Sequence, residues 1–294
     1  EVRYRGLRLS SGERQIASGN GSVNLTQQDT NLITKASGNF ILNLANLANQ
    51  PVVSQQFPEF PFDSKLSMRV RYDLSHAKEA IEAHSLDIDL LSKGRPFAEL
   101  DVGSTLTIRP VLAEQESLAK HAVGEIKLSI DNLTPDILGD LFPLENLSFD
   151  TISGDALLKS DGNLLSAQSV DSIVWANVIV KDADGKLVLN PFNVATSGIV
   201  EASGKEISTN LDKFAITFTD STKPALQGVA SATIAPSETI MLKKLSAEIE
   251  GSLVQLLNQP AVIPNHSLTS GKLSSKITIE PNGDIAADTR IEGL

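Results

Sequence analysis

Apolar and polar residues alternate with period two over much of the chain. The pattern runs through Phe40, Leu42 and Leu44, through Leu66, Met68, Val70 and Tyr72, through Leu86, Ile88 and Leu90, and through Ile126, Leu128 and Ile130. It returns in Phe214, Ile216 and Phe218 and in Ile277 and Ile279. The intervening positions are polar: Lys65, Ser67, Arg69, Arg71 and Asp73 bracket the second set, and Lys127 and Ser129 divide the fourth. Successive side chains of a strand point to opposite faces, so each segment predicts a strand with one dry and one wet face. Antiparallel sheets behave in this way, whereas strands buried in parallel sheets read as near-continuous apolar runs.

Turn chemistry agrees with a series of hairpins. Asp161-Gly162 and Asn282-Gly283 supply the positive φ of tight turns, Lys93-Gly94 separates LDIDLL from PFAELDV, and Asp182-Ala183-Asp184-Gly185 divides VWANVIVK from KLVLNPF. Helical signals are short. HAKEAIEAH (76–84) has helix-forming composition yet could equally lead into the LDIDLL strand. Thr134-Pro135-Asp136 offers an N-cap, proline at the first helical position and an acid in the first turn. Ile137, Leu138, Leu141 and Phe142 then form an apolar stripe that Pro143 stops.

Two stretches, LANQPVV and LLNQPAVI, place Asn-Gln-Pro after a short leucine-bearing segment that itself follows an alternating strand. Proline disfavours helix in the residue before it, so Asn-Gln-Pro reads as a helix stop. Three segments share the order strand, short apolar helix or turn, proline (Pro51, Pro143, Pro260), then a further strand. The second and third return strands both open on Ser-Gly, at Ser153-Gly154 and Ser270-Gly271. The expected fold is mostly β, with a few short helices. It is an elongated antiparallel sheet of strand-helix-strand repeats, able to curve into an apolar groove. The expected divisions are an N-terminal β segment at 1–37 and modules at 38–125, 126–240 and 241–294.

This module resembles the repeats of the AsmA-like family, which includes TamB-type proteins. The matching residues are Ile130-Asp131-Asn132-Leu133 with Leu138 and Leu141, then Ile152-Ser153-Gly154-Asp155-Ala156-Leu157. Leu253 to Leu257 with Leu268-Thr269-Ser270-Gly271-Lys272-Leu273 match likewise. LDIDLLSKGRPFAELDV also looks like the strand pairs between such repeats, and the likeness runs from about Gly38 onward. Residues 1–37, with SGNGS and LTQQD, depart from it. The resemblance implies a cell-envelope protein of diderm bacteria, periplasmic and anchored in the inner membrane by a segment outside this window. It implies an apolar concave sheet face and a part in phospholipid transport or outer-membrane assembly. Lipid-facing residues would then come from Phe40, Leu42, Leu44, Leu66, Met68, Ile126, Leu128, Phe214, Ile216 and Phe218.

Composition narrows the alternatives. A content of 41% hydrophobic and 21% charged residues suits a folded chain. With 36 Asp and Glu against 25 Lys and Arg, the net charge of −11 argues against nucleic acid, which needs a basic footprint. The same charge disfavours simple electrostatic docking to anionic membranes. No cysteine is present, which removes disulfides, thiolate metal sites and cysteine nucleophiles. The longest apolar runs fall far short of the roughly 18 to 20 residues that span a membrane, and no secretory signal is visible. With Glu1 first, the chain is expected to be an internal piece of a longer protein or a processed form.

Candidate chemistry is sparse. His76, His84, His121 and His266 are scattered and read as surface residues. Asp182, Asp184 and Gly185 imitate a calcium loop, but Val188 and Leu189 stand where further oxygen ligands belong, so a hairpin turn is the better reading. Asp87 with Asp89, and Glu248 with Glu250, share strand spacing on a wet face and lack a partner that would make them acid-base catalysts. No G-x-S-x-G elbow is present. Asn-x-Ser/Thr triplets at Asn20, Asn24, Asn132, Asn146 and Asn265 read as turn and cap residues. Trp175 is expected in a packed strand position, with a ligand-facing role as the alternative. The expected function is therefore non-enzymatic and without cofactor. Two rivals stay open: a structural or adhesive module with two sheets sealed face to face, and a hydrolytic domain whose carboxylates converge in a cleft.

Overall fold

The computed structural model describes residues 1–28, 31–50, 66–77, 80–109, 121–138, 146–203, 206–235, 241–261, 268–281 and 283–293. Pro51, Lys65, Leu141, Phe142, Pro143, Asn265, His266 and Asn282, used in the expectations above, lie outside them. Among the described residues the chain forms 18 strands of one antiparallel sheet and three short helices. It divides into two compact units, Glu1–Pro143 with Leu157–Leu165, and Leu144–Ala156 with Ser166–Leu294.

The first unit is a meander. Strands β1 (Val2–Ser11), β2 (Arg14–Gln28) and β3 (Asn31–Asn43) lead to helix α1 (Leu44–Ala48). There follow β4 (Leu66–Ala77), β5 (Ala80–Ser92), β6 (Arg95–Asp101), β7 (Leu106–Ile108), β8 (Ala122–Leu133) and helix α2 (Pro135–Leu138). Each strand pairs antiparallel with the next from β1 to β6, and β6 and β7 both pair with β8. HAKEAIEAH contributes to β4 and β5 and forms no helix in its described residues. The ladder decides there: Ser75 opposes Glu82 and His76 opposes Ile81, so pairing outweighs a weak helical propensity. Leu44 does not extend its strand as the alternation suggests; Asn43 ends β3, and its side chain accepts the backbone N–H of Asn46 at 2.8 Å.

The second unit contains β9 (Leu147–Ser148), most of β10 (Thr151–Ser160) and β11 (Leu165–Ser169), and β12 (Ile173–Val180). The run continues with β13 (Phe192–Ala202), β14 (Ile207–Phe218), β15 (Leu226–Ala235), β16 (Met241–Ser252), helix α3 (Leu253–Leu257), β17 (Lys272–Ile279) and β18 (Ile285–Glu292). From β12 to β18 each strand pairs antiparallel with its successor.

The two Asn-Gln-Pro corners correspond in detail. Both α1 and α3 span five residues between paired strands, with N-caps Asn43 and Ser252 in extended conformation. Both end on the asparagine of Asn-Gln: the Asn49 N–H donates to the Ala45 carbonyl at 3.1 Å and the Asn258 N–H to the Val254 carbonyl at 3.2 Å. The glutamines then fold back, Gln50 Nε2 donating to Asn46 O at 2.8 Å and Gln259 Nε2 to Gln255 O at 2.5 Å. The repeated Ser-Gly has its own cause. Gly154 and Gly271 adopt φ of +150° and +137°, and a Cβ would meet the Ile173 Cα at 2.8 Å in the first and the Leu253 Cβ at 3.1 Å in the second.

Candidate functional site: a one-sided apolar sheet face

The registers place the apolar positions in rows that cross the strands. In the first unit one row runs Leu9, Ala17, Leu42, Met68, Leu90, Ala98, Ile130 from β1 to β8. The next runs Leu7, Gly19, Phe40, Val70, Ile88, Leu100, Leu128. In the second unit Trp175, Val194, Ile216, Leu226, Gly251, Leu273 and Ile291 share one row, and Leu211, Ala230, Ala247, Ile277 and Ala287 another. Alternate positions face the other way and carry the charges. There Asp89 meets Arg69 at 3.2 Å, Asp87 meets Arg71 at 3.3 Å and Glu248 meets Lys276 at 2.6 Å.

Most of the apolar rows are half-buried, and among the described residues no large side chain is completely shielded from solvent. A sealed two-layer core packs at crystalline density and hides such side chains entirely. The dense spots are local. In the first unit Ala83, Val102 and Leu106 gather Leu74, Leu86, Ile108, Ala122 and Ile126. In the second unit Phe192 and Phe218 meet edge to face at 6.2 Å, and Leu253 is buried on α3. Helix α3 covers one end of the apolar face: a Cβ on Gly251 would meet Leu256 Cδ1 at 2.9 Å. Gln259, buried, fixes this end by accepting the Asn190 N–H at 2.8 Å.

Glycines on the apolar face make room for rings. Tyr4 of β1 reaches across the intervening strands, and its hydroxyl hydrogen-bonds that of Tyr72 on β4. The strands crossed present Gly21 and Gly38 in that row; a Cβ on Gly21 would strike the Tyr4 ring and one on Gly38 would crowd the Tyr72 hydroxyl. Burial first, and then the bond to Tyr4, push the Tyr72 phenol up to about 12. Beside this bridge lies an apolar depression of about 300 Å³, lined by Leu7, Leu9, Ala17, Gly19, Phe40 and Leu42 with Tyr4 and Arg8. Larger depressions of about 590 and 680 Å³ in the second unit are lined largely by wet-face residues, including Gln227, Glu250 and Ser274.

Of the residues expected to face lipid, Phe40, Leu42, Met68, Leu128, Phe214 and Ile216 lie half-buried in the apolar rows, and Ile126 packs on the Ala83 cluster. Leu66 and Phe218 are each only 4% exposed, and Leu44 opens α1. Trp175 stands in the apolar row of β12 with its ring 5.4 Å from that of Phe149. The residues expected to face lipid left out β1 and β2, whose apolar face carries Val2, Tyr4, Leu7, Leu9, Val23 and Leu25. Two features hid them: a bulge between Tyr4 and Leu7 shifts the alternation, and β2 contributes Ala17, Gly19 and Gly21 where large apolar side chains would have been counted.

The polar candidates resolve into structural roles. Asp182 Oδ1 accepts the N–H groups of Asp184 and Lys186, both at 2.9 Å, which closes a turn. Asp161 accepts from Asn163 and Leu164 at 2.8 and 2.9 Å, and these backbone bonds hold its carboxyl below the usual range. Asp87 and Asp101 oppose each other across β5 and β6. A hydrogen bond between them, with burial and like charge behind it, raises the Asp101 carboxyl. His84 Nε2 lies 2.9 Å from Ser75 Oγ. Among the described residues no group of His, Asp and Glu could hold a metal ion, and no helix is long and apolar enough to cross a membrane. No family model, curated protein or solved structure matches the chain.

Proposed function

We propose that this chain is a non-enzymatic segment of an AsmA-like cell-envelope protein, and that its one-sided sheet gives acyl chains a water-excluding surface in phospholipid transport or outer-membrane assembly. The observation that carries this is the half-exposed state of the large apolar side chains on successive paired strands, with helices α1 and α3 as the described elements that pack against them. Contiguous exposed apolar surface beyond a few hundred Å² is uncommon on soluble monomers and marks an interaction surface. An acyl chain laid along the rows gains about 0.8 kcal/mol for each buried CH₂. Phe40, Leu42, Met68, Ile126, Leu128, Phe214 and Ile216 are the lipid-facing set, while Leu66 and Phe218 support the fold. Periplasmic placement and an inner-membrane anchor outside this chain belong to the same proposal.

Native mass spectrometry of the protein purified without detergent, followed by lipid extraction, tests the proposal. Co-purifying phospholipid is the expected outcome. A clean apo mass from several expression hosts, with no uptake from added vesicles, would instead favour the structural or adhesive module.

A further inference from the structure

We infer that the β1 edge of the apolar face binds the anionic headgroup of a phospholipid, with an acyl chain in the depression beside Tyr4. This rests on the lipid reading above and adds a headgroup preference and a place for it.

Charge is distributed unevenly along this chain. The whole carries a net charge of −11, yet β1, β2 and β3 contain no acidic residue and present Arg3, Arg5, Arg8, Arg14 and Lys35. Arg3 is engaged by Glu1 at 2.7 Å, whereas Arg5 and Arg8 have no carboxylate partner among the described residues. Both lie on β1, whose described residues pair along one edge with β2. The opposite face of the same strand carries Leu7 and Leu9, 58% and 57% exposed, which wall the depression of about 300 Å³. Arg8 is part of that lining. An apolar slot with the Arg8 guanidinium at its rim, and Arg5 on the same strand, complements a molecule that is oily at one end and anionic at the other. Guanidinium matches phosphate oxygens in a two-pronged geometry, and a zwitterionic headgroup, with the same phosphate, adds a cation that a second guanidinium repels. The Tyr4–Tyr72 hydroxyl bridge runs parallel to the Leu7 and Leu9 rows and bounds the slot along one flank.

The test measures binding of phosphatidylglycerol and phosphatidylcholine, both with eight-carbon chains and below their micellar concentrations, by isothermal titration at low and high salt. Phosphatidylglycerol is expected to bind about fivefold more tightly at low salt, the factor one well-placed surface ion pair supplies, and to lose that advantage at high salt. Arg5→Gln with Arg8→Gln should equalise the two lipids. Leu7→Gln with Leu9→Gln should weaken both. All four side chains are exposed, so circular dichroism should report an unchanged fold. Equal affinities in the unaltered protein, or a preference that survives the arginine changes, overturn the headgroup assignment and leave the apolar reading standing. Affinities for both lipids untouched by the leucine changes reduce the effect to surface ion pairing and overturn it too. Binding of neither lipid overturns both proposals.

Discussion

At the scale of single residues, glycines and tyrosines define the apolar face more sharply than leucines do. Tyr4 and Tyr72 are the only tyrosines in the chain, so replacing Tyr4 with Phe leaves one phenol to titrate. Tyr72 titrates at about 12, above the ordinary value of 10, because the fold favours the neutral phenol. Its contribution to stability is therefore complete below pH 10 and is lost as pH rises through 12. In Tyr4→Phe the Tyr72 phenol, followed by its own ring resonance, should ionise at lower pH than in the parent, yet still above 10, because burial, the larger cause, remains. An unchanged titration would separate Tyr72 from Tyr4. Gly154 offers a second test. Alanine there must hold φ near +150° and meet the Ile173 backbone, so Gly154→Ala should cost about 2 kcal/mol or more by chemical denaturation.

At the scale of elements, the corners are held by caps more than by helix propensity. Five-residue helices are too short to be stable alone, so α1 and α3 depend on Asn43 and Ser252 and on the strands they join. Asn43→Ala and Ser252→Ala should each cost about 1 kcal/mol, read as a shift in denaturation midpoint without a change in slope. The corners were legible in the sequence because Asn-Gln-Pro and Ser-Gly are local signals with local causes. The strands around Phe40, Leu66, Leu86, Ile126, Phe214 and Ile277 were legible because their alternation puts the large apolar residues on one side, whereas KLVLNPF forms only an isolated bridge at Leu187 before β13 begins at Phe192. Residues 1–37 were expected as a β segment, but the bulge in β1 and the Ala/Gly face of β2 concealed the apolar face of these two strands, since a side-chain pattern cannot register room left for a neighbour's ring. HAKEAIEAH joined strands because cross-strand partners outweigh propensity, and those partners lie outside the segment itself. The Tyr4–Tyr72 bridge joins two residues that only the register brings together.

At the scale of the whole molecule, the wet faces are held by cross-strand charge pairs and the dry faces are left partly open. Surface pairs such as Glu248–Lys276 contribute little to stability, because both groups are solvated and screened. Their arrangement matters more for keeping one face of the sheet hydrated while the other remains available. The central claim is that the dry face meets lipid. The chain contains no cysteine, so a single introduced thiol can carry an environment-sensitive fluorophore to one chosen face. Leu42→Cys and Phe214→Cys sample the dry face, and Asn39→Cys and Ser246→Cys the wet face of the same units. On addition of phosphatidylglycerol and phosphatidylcholine vesicles, the account predicts a blue-shifted, brighter emission at the first pair and none at the second. Emission unchanged at Leu42→Cys and Phe214→Cys, or changed equally at all four positions, would contradict it.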